Sequence, residues 1–213
     1  MNINEKFVIT INRELGSGGR TVGRLLSEKL GVPYYDKALI KTLEEKYNLT
    51  AKEIETLKGR KHNWWSDFER ITSLGAAISL DYYKLTPKND SEPLTTKEIF
   101  KAETEILNGI AENGSCVIAG RAAFYVFRNH PNHLSILIQA SKDHRIQRVM
   151  DKQGLERNVV EEIVRKVDKM RENYVQRYTG TSRYDTRNYN LVISMDGKTE
   201  EEVAKMIIDY IGQ

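Results

Sequence analysis

The sequence holds a single cysteine, Cys116, so no intramolecular disulfide and no cysteine-rich metal site can form. No apolar run approaches the roughly 20 residues that a membrane-spanning helix needs. The opening MNINEKFVIT lacks the basic, apolar and small-residue order of a secretory leader. The expectation is a soluble, cytoplasmic protein with no membrane partner. A large charge of one sign is also missing: 33 Lys+Arg against 30 Asp+Glu leave +3. That surplus argues for no nucleic-acid partner. There is no internal repeat and no low-complexity tract. His62, His130, His133 and His144 share no metal-ligand spacing and read as surface or loop residues.

What the sequence does have is alternation. Residues 7–11 form a short apolar, β-branched run that reads as a strand. A glycine-rich turn, Gly16-Ser17-Gly18-Gly19, follows it. Val22, Leu25, Leu26 and Leu30 then recur at helical spacing, and Gly31 closes that helix. Residues 32–35 suit a second strand ending at Asp36, and Ala38, Ile40 and Leu43 start another helix. Residues 48–93 are the least regular stretch and contain Trp64 and Trp65. Order returns with the capping-box spacing Thr95-x-x-Glu98 and an apolar face through Ile99, Ala102, Ile106, Leu107 and Ile110. Residues 116–119 and 134–138 are nearly continuous apolar runs, as expected of strands covered on both faces. Cys116, inside the first of these, reads as a core residue. Helices are expected from Ser141 and from about Asn158, a last strand over 191–194, and a closing helix over 203–211. Strands alternating with helices predict one α/β domain over residues 1–213, with a parallel sheet in a three-layer α/β/α sandwich. Ligands bind such sheets at the carboxyl ends of the strands.

The segment after the first strand, Asn12-Arg13-Glu14-Leu15-Gly16-Ser17-Gly18-Gly19-Arg20-Thr21, has the strand–turn–helix layout of a phosphate site. Glycines let successive N–H groups point inward, and the helix N-terminus adds partial positive charge. Against G-x-x-x-x-G-K-[ST], residues 14–21 fit with two changes: Glu14 replaces the first glycine and Arg20 the lysine. A second register aligns Gly16-Ser17-Gly18 with the usual glycines and leaves Gly19 where the lysine belongs. Arginine supplies the other cationic signal. Arg145, Arg148, Arg157, Arg165, Arg171, Arg177, Arg183 and Arg187 fall in one later stretch, and their planar forks suit phosphate. Most of them read as solvated helix faces. Arg145 and Arg148 are neighbours on one helix side. On the next helix Val160, Ile163, Val167, Met170 and Tyr174 form the expected buried stripe, with Arg171 at its border and Arg165 nearly opposite.

The run ITINRELGSGGRTVGRLLSEKLGVPYYDKALI resembles the opening of the bacterial cytidylate kinase-like family, within the P-loop nucleoside monophosphate kinases. SCVIAGRAAFYVF, LSILIQASKDHRIQRV and NYNLVISMDGKTEEEVAKMI extend the resemblance in order, leaving out residues 48–93 as a variable acceptor-side insertion. The resemblance implies a P-loop NTPase-type fold, ATP as phosphoryl donor, Mg²⁺, and a CMP- or dCMP-like acceptor. It assigns Gly16, Ser17, Gly18, Gly19, Arg20 and Thr21 to the donor phosphates, with Thr21 also at the metal. Asp36 and Arg121 fall to the acceptor. Arg20, Arg145, Arg148 and Arg171 fall to catalysis, with Asp168 and Arg171 forming a D-x-x-R pair. A short lid is expected near residues 150–157. A kinase of another small metabolite, or a nucleotide-binding sensor without turnover, stands as the alternative.

Overall fold

The computed structural model describes residues 1–36 and 96–212. They order as β1 (Val8–Arg13), α1 (Gly19–Leu30), β2 (Tyr34–Asp36), α2 (Thr96–Asn113), β3 (Cys116–Ala119) and α3 (Ala123–Val126). There follow β4 (His133–Gln139), α4 (Lys142–Gln153), α5 (Arg157–Thr179), a 3-10 turn (Thr186–Asn188), β5 (Leu191–Ser194) and α6 (Glu200–Ile211). One compact unit comprises Met1–Lys37 and Leu107–Gln213, and holds every described strand; a second, Ala38–Ile106, is described only in the first turns of α2. The expected helix after Asp36, the irregular stretch 48–93 with Trp64 and Trp65, and the capping residue Thr95 lie outside the described residues.

The five strands are all parallel, in the order β2-β3-β1-β4-β5. β1 is central and wholly buried, because Val8, Ile9 and Ile11 offer apolar surface to both faces. α1 lays Val22 and Leu26 against Ile9 and Ile11, and α6 adds Val203, Ala204, Ile207 and Ile211 to the same cluster. Burying one such side chain stabilises the fold by about 1.5–3 kcal/mol. Gly23 lets α1 sit that close: a Cβ there would stand 2.7 Å from the Tyr34 ring and 3.1 Å from Ile11 Cδ1. A separate cluster joins α4 to α5 through Ile146, Val149, Val160 and Val164, with Leu15 of the β1–α1 loop inserted between them. The architecture is the three-layer α/β/α fold of P-loop kinases.

Three details depart from the sequence pattern. β1 runs on to Arg13, because Asn12 and Arg13 keep pairing with Leu137 and Ile138 of β4. Met170 is exposed, and the buried face of α5 runs through Val160, Val164, Asp168 and Val175. His133 is no loop residue. It opens β4, and its Nε2 lies 2.8 Å from Thr10 Oγ1. Burial, with the nearby His130, pushes its pKa down to about 4 against a smaller opposing hydrogen bond with the Phe127 backbone. Cys116 is buried as expected, and that burial raises its thiol to about 12. No helix among the described residues is long and apolar enough to cross a membrane.

Candidate functional site

The β1–α1 loop is fastened from beneath before it offers anything to a ligand. Glu14 N–H donates to the Ile138 carbonyl at 3.1 Å. The Ser17 hydroxyl, fully buried, donates to Glu14 and Ile138 carbonyls at 3.0 and 3.2 Å. Ser17 therefore shapes the loop from within, and its backbone N–H also donates to the Glu14 carbonyl at 3.4 Å. Gly16 and Gly18 hold φ of 84° and 77°. A Cβ on Gly16 would collide with the Arg145 carbonyl of α4, so glycine is required there twice over. Gly18 caps α1 without any side-chain hydrogen bond, and no acid occupies the first turn. An uncapped helix start above two left-handed glycines is a cradle for an anion.

Behind the loop, arginines converge on one carboxylate. Asp168, buried on α5, accepts from Leu15 N–H at 3.0 Å and from Arg145 Nη1 at 2.5 Å. Arg145 Nε also donates to the Ala140 carbonyl at 3.1 Å and lies 3.5 Å from Glu14 Oε2. Its fork is a brace that fixes the loop. Arg171 Nη1 donates to the Arg13 carbonyl at 3.1 Å and stands 3.7 Å from Asp168 Oδ1. Arg183 reaches the same two partners: its Nη2 donates to the Arg13 carbonyl and its Nη1 is 3.7 Å from Asp168. Arg183 is fully buried, yet its Nε and Nη1 have no hydrogen-bond partner among the described residues. Burial presses its pKa below the usual arginine value, Tyr184 opposing and Arg171 adding to the push. Leaving buried donors unmade costs about 1–3 kcal/mol each, a cost that an incoming oxyanion relieves. Asn12 and Tyr189 hold Arg183 in place: Asn12 Nδ2 donates to the Tyr189 hydroxyl at 2.5 Å, which donates to the Arg183 carbonyl at 2.7 Å.

On the helix side of the loop, Arg148 Nη2 donates to Thr21 Oγ1 at 3.3 Å and pairs with Glu200. Arg20 turns the other way and pairs with Asp36 at 2.6 Å, at the carboxyl end of β2. β3 ends in a turn that runs through left-handed backbone at Gly120, Arg121 and Ala122, with φ of 88°, 56° and 50°. Two consecutive non-glycine residues in that region store on the order of 1–3 kcal/mol each, strain that clusters at working sites. Among the described residues no His, Cys, Asp and Glu cluster could hold a metal by itself.

The structure thus brings together Arg145, Arg171 and Asp168, sets Arg148 on Thr21, and joins Arg20 to Asp36. Arg121 lies on the strained turn after β3. Sequence reasoning missed Arg13, Glu14, Arg183 and Glu200 as site residues. Arg183 sits in a polar S-R-Y-D turn with no periodicity to mark it as buried. Arg13 gave a signal only as the residue that continues β1 into the glycine turn.

The profile of the cytidylate kinase-like family matches residues 8–197. Among solved structures, an uncharacterised protein from Eubacterium ventriosum ATCC 27560 is 25% identical, with a TM-score of 0.69, covering 98% of this chain and 99% of that one. A shikimate kinase from Bacteroides thetaiotaomicron shares the fold at 17% identity and a TM-score of 0.50, covering 98% and 100%. No curated protein matches the sequence. The matched residues carry all of the strands, the glycine turn and the arginine cluster, and so the chain belongs to the cytidylate kinase-like family.

Proposed function

We propose that the chain is an ATP-dependent phosphotransferase whose acceptor is a nucleoside monophosphate of the CMP or dCMP type. The observation that supports this most is the pairing of two anion-binding features on adjacent strands. The glycine cradle follows β1, the Gly120-Arg121 turn follows β3, and Ile11 pairs with Ala119 in register. Neighbouring strands lie about 4.8 Å apart, so ligands seated at the two ends meet at their phosphates.

In this reading the N–H groups at the start of α1 receive the donor's β- and γ-phosphates. The Arg121 fork receives the acceptor's phosphate. An acceptor phosphate oxygen attacks the γ-phosphorus, the bond to the β–γ bridging oxygen breaks, and ADP leaves. Arg171 and Arg183, braced on Asp168 and the Arg13 carbonyl behind the loop, add positive charge toward the equatorial oxygens of the transferring group. Magnesium, when bound, neutralises charge across the donor phosphates; the Thr21 hydroxyl would reach it, waters and phosphates supplying the remaining ligands. Arg145 and Asp168 position the loop. The three-residue connection between α4 and α5, at residues 154–156, acts as the lid hinge, bringing Arg148 onto the phosphates and excluding water.

The test is a panel of nucleoside monophosphates and small hydroxylated metabolites, each with ATP and Mg²⁺, read as ADP formed. CMP or dCMP should give the highest kcat/KM. A metabolite outranking every monophosphate would overturn the acceptor assignment. Tight ATP binding with no acceptor-dependent ADP would show a sensor instead.

A further inference from the structure

α1 begins at Gly19, immediately after its cap Gly18. The lysine of the phosphate-loop motif follows the second glycine and opens the helix, so the helix start selects the register in which Gly19 stands in the lysine's place. In that register Arg13 occupies the first position, which is ordinarily glycine. The usual motif carries glycine at the first position and a cation at the seventh; here the two are exchanged.

The geometry explains the exchange. A Cβ built on Gly19 would lie 2.6 Å from Arg13 Cβ and 3.2 Å from Arg13 Cγ, too close for both side chains to exist. Only one of these positions can project a side chain. The side chain that does, Arg13, leaves β1 from the spot where a residue-19 side chain would start. It then runs along the carboxyl edge of the sheet to Gly120, where a Cβ would collide with its Nη1. Its guanidinium therefore lies between the phosphate loop and the Gly120-Arg121 turn. Arg13 is buried, and its carbonyl is clamped by Arg171 and Arg183, so its backbone is fixed by the same cluster. Arg20, in its ion pair with Asp36, is turned toward β2.

We propose that Arg13 supplies from the strand the phosphate-bridging cation that lysine supplies from the helix, contacting the donor's terminal phosphates beside the acceptor turn. This rests on the phosphotransferase reading for its catalytic part, and on ATP binding alone for the rest.

The test uses the full chain with Arg13→Met, Arg13→Gly, Gly19→Lys and the double variant Arg13→Gly/Gly19→Lys. Mg-ATP affinity is measured by calorimetry without acceptor, and kcat with the best acceptor. Arg13→Met should lose at least thirtyfold in kcat, about 2 kcal/mol of barrier, and weaken ATP severalfold. Gly19→Lys should be impaired because its side chain meets Arg13. The double variant, with glycine at the first position and lysine at the seventh as in the ordinary motif, should regain at least tenfold in ATP affinity or kcat over Arg13→Gly. Arg13→Met within threefold of wild type in both readouts overturns the proposal. So does a double variant no better than Arg13→Gly. If Arg13→Met fails to fold, by circular dichroism, the double variant decides alone: a folded chain that binds Mg-ATP supports the exchange, and any other result overturns it. Wild-type ATP binding without turnover on any acceptor overturns the phosphotransferase reading only, since ATP affinity still tests Arg13. A wild type that binds no ATP overturns both.

Discussion

At the scale of single residues, the site is built from exceptions to local rules. Gly18 takes a left-handed cap beside Glu200, whose Oε1 would lie 3.2 Å from a Cβ at that position. Gly18→Val should therefore strain the loop and close the cradle, weakening ATP at least tenfold by calorimetry while the fold is kept. Unchanged affinity in a folded variant would remove the loop from the site. Arg121→Ala should raise the acceptor KM far more than the ATP KM, because one phosphate fork is lost. Away from the site, His133 ties stability to pH. Its folded-state pKa of about 4 lies below the ordinary 6.5, so protons bind the unfolded chain more readily. The stabilisation is complete above about pH 6.5 and is lost as pH falls toward 4. His133→Gln should flatten the fall in urea-unfolding free energy between pH 7 and pH 4.5 by on the order of 1–2 kcal/mol. An identical slope in the variant would remove His133 from that linkage. Residues such as Arg183 were illegible in the sequence, because an arginine in a polar turn carries no mark of burial. The glycine turn was legible because its backbone demands are written in residue type.

At the scale of elements, the strands and most helices followed from apolar runs and 3.6-residue spacing, within a residue or two at their ends. The exceptions share one cause. Apolar periodicity finds faces that bury hydrocarbon, and it misses faces that bury charge. β1 extends through Asn12 and Arg13, and α5 turns Asp168 inward. Of the expected stripe, Val160 is buried and Ile163 and Val167 pack against the same cluster, but Met170 points to water while Asp168 turns inward to hold the arginines. Asp168→Asn should destabilise the chain by roughly 3 kcal/mol in urea unfolding, since it strips the counter-charge from buried guanidinium groups. A loss under about 1 kcal/mol would show that Asp168 is dispensable to the cluster. α6 begins with a reciprocal capping box between Thr199 and Glu202. That box follows directly on the loop carrying Asp196, which accepts from Ser141 N–H at the start of α4.

At the scale of the whole molecule, the strand order sets the function. Parallel strands deliver all of their carboxyl ends to one edge, and β1 lies between β3 and β4. The glycine turn after β1 and the Gly120-Arg121 turn after β3 therefore lie along one rim of the sheet. The family resemblance, the parallel sheet and the glycine turn between β1 and α1 were legible from sequence. The contacts that brace the arginines were not, because they depend on which guanidinium the fold engages. Arg145 is engaged by Asp168 and the Ala140 carbonyl, whereas Arg183 Nε and Nη1 make no hydrogen bond among the described residues. The most direct measurement of the central claim follows the phosphoryl group itself. The chain is mixed with Mg²⁺, CMP and ATP labelled at the γ-phosphate, and the products are separated. The label should appear in CDP, with free labelled phosphate a minor product. Label recovered as inorganic phosphate, or left in ATP while other acceptors also stay unlabelled, would contradict that claim.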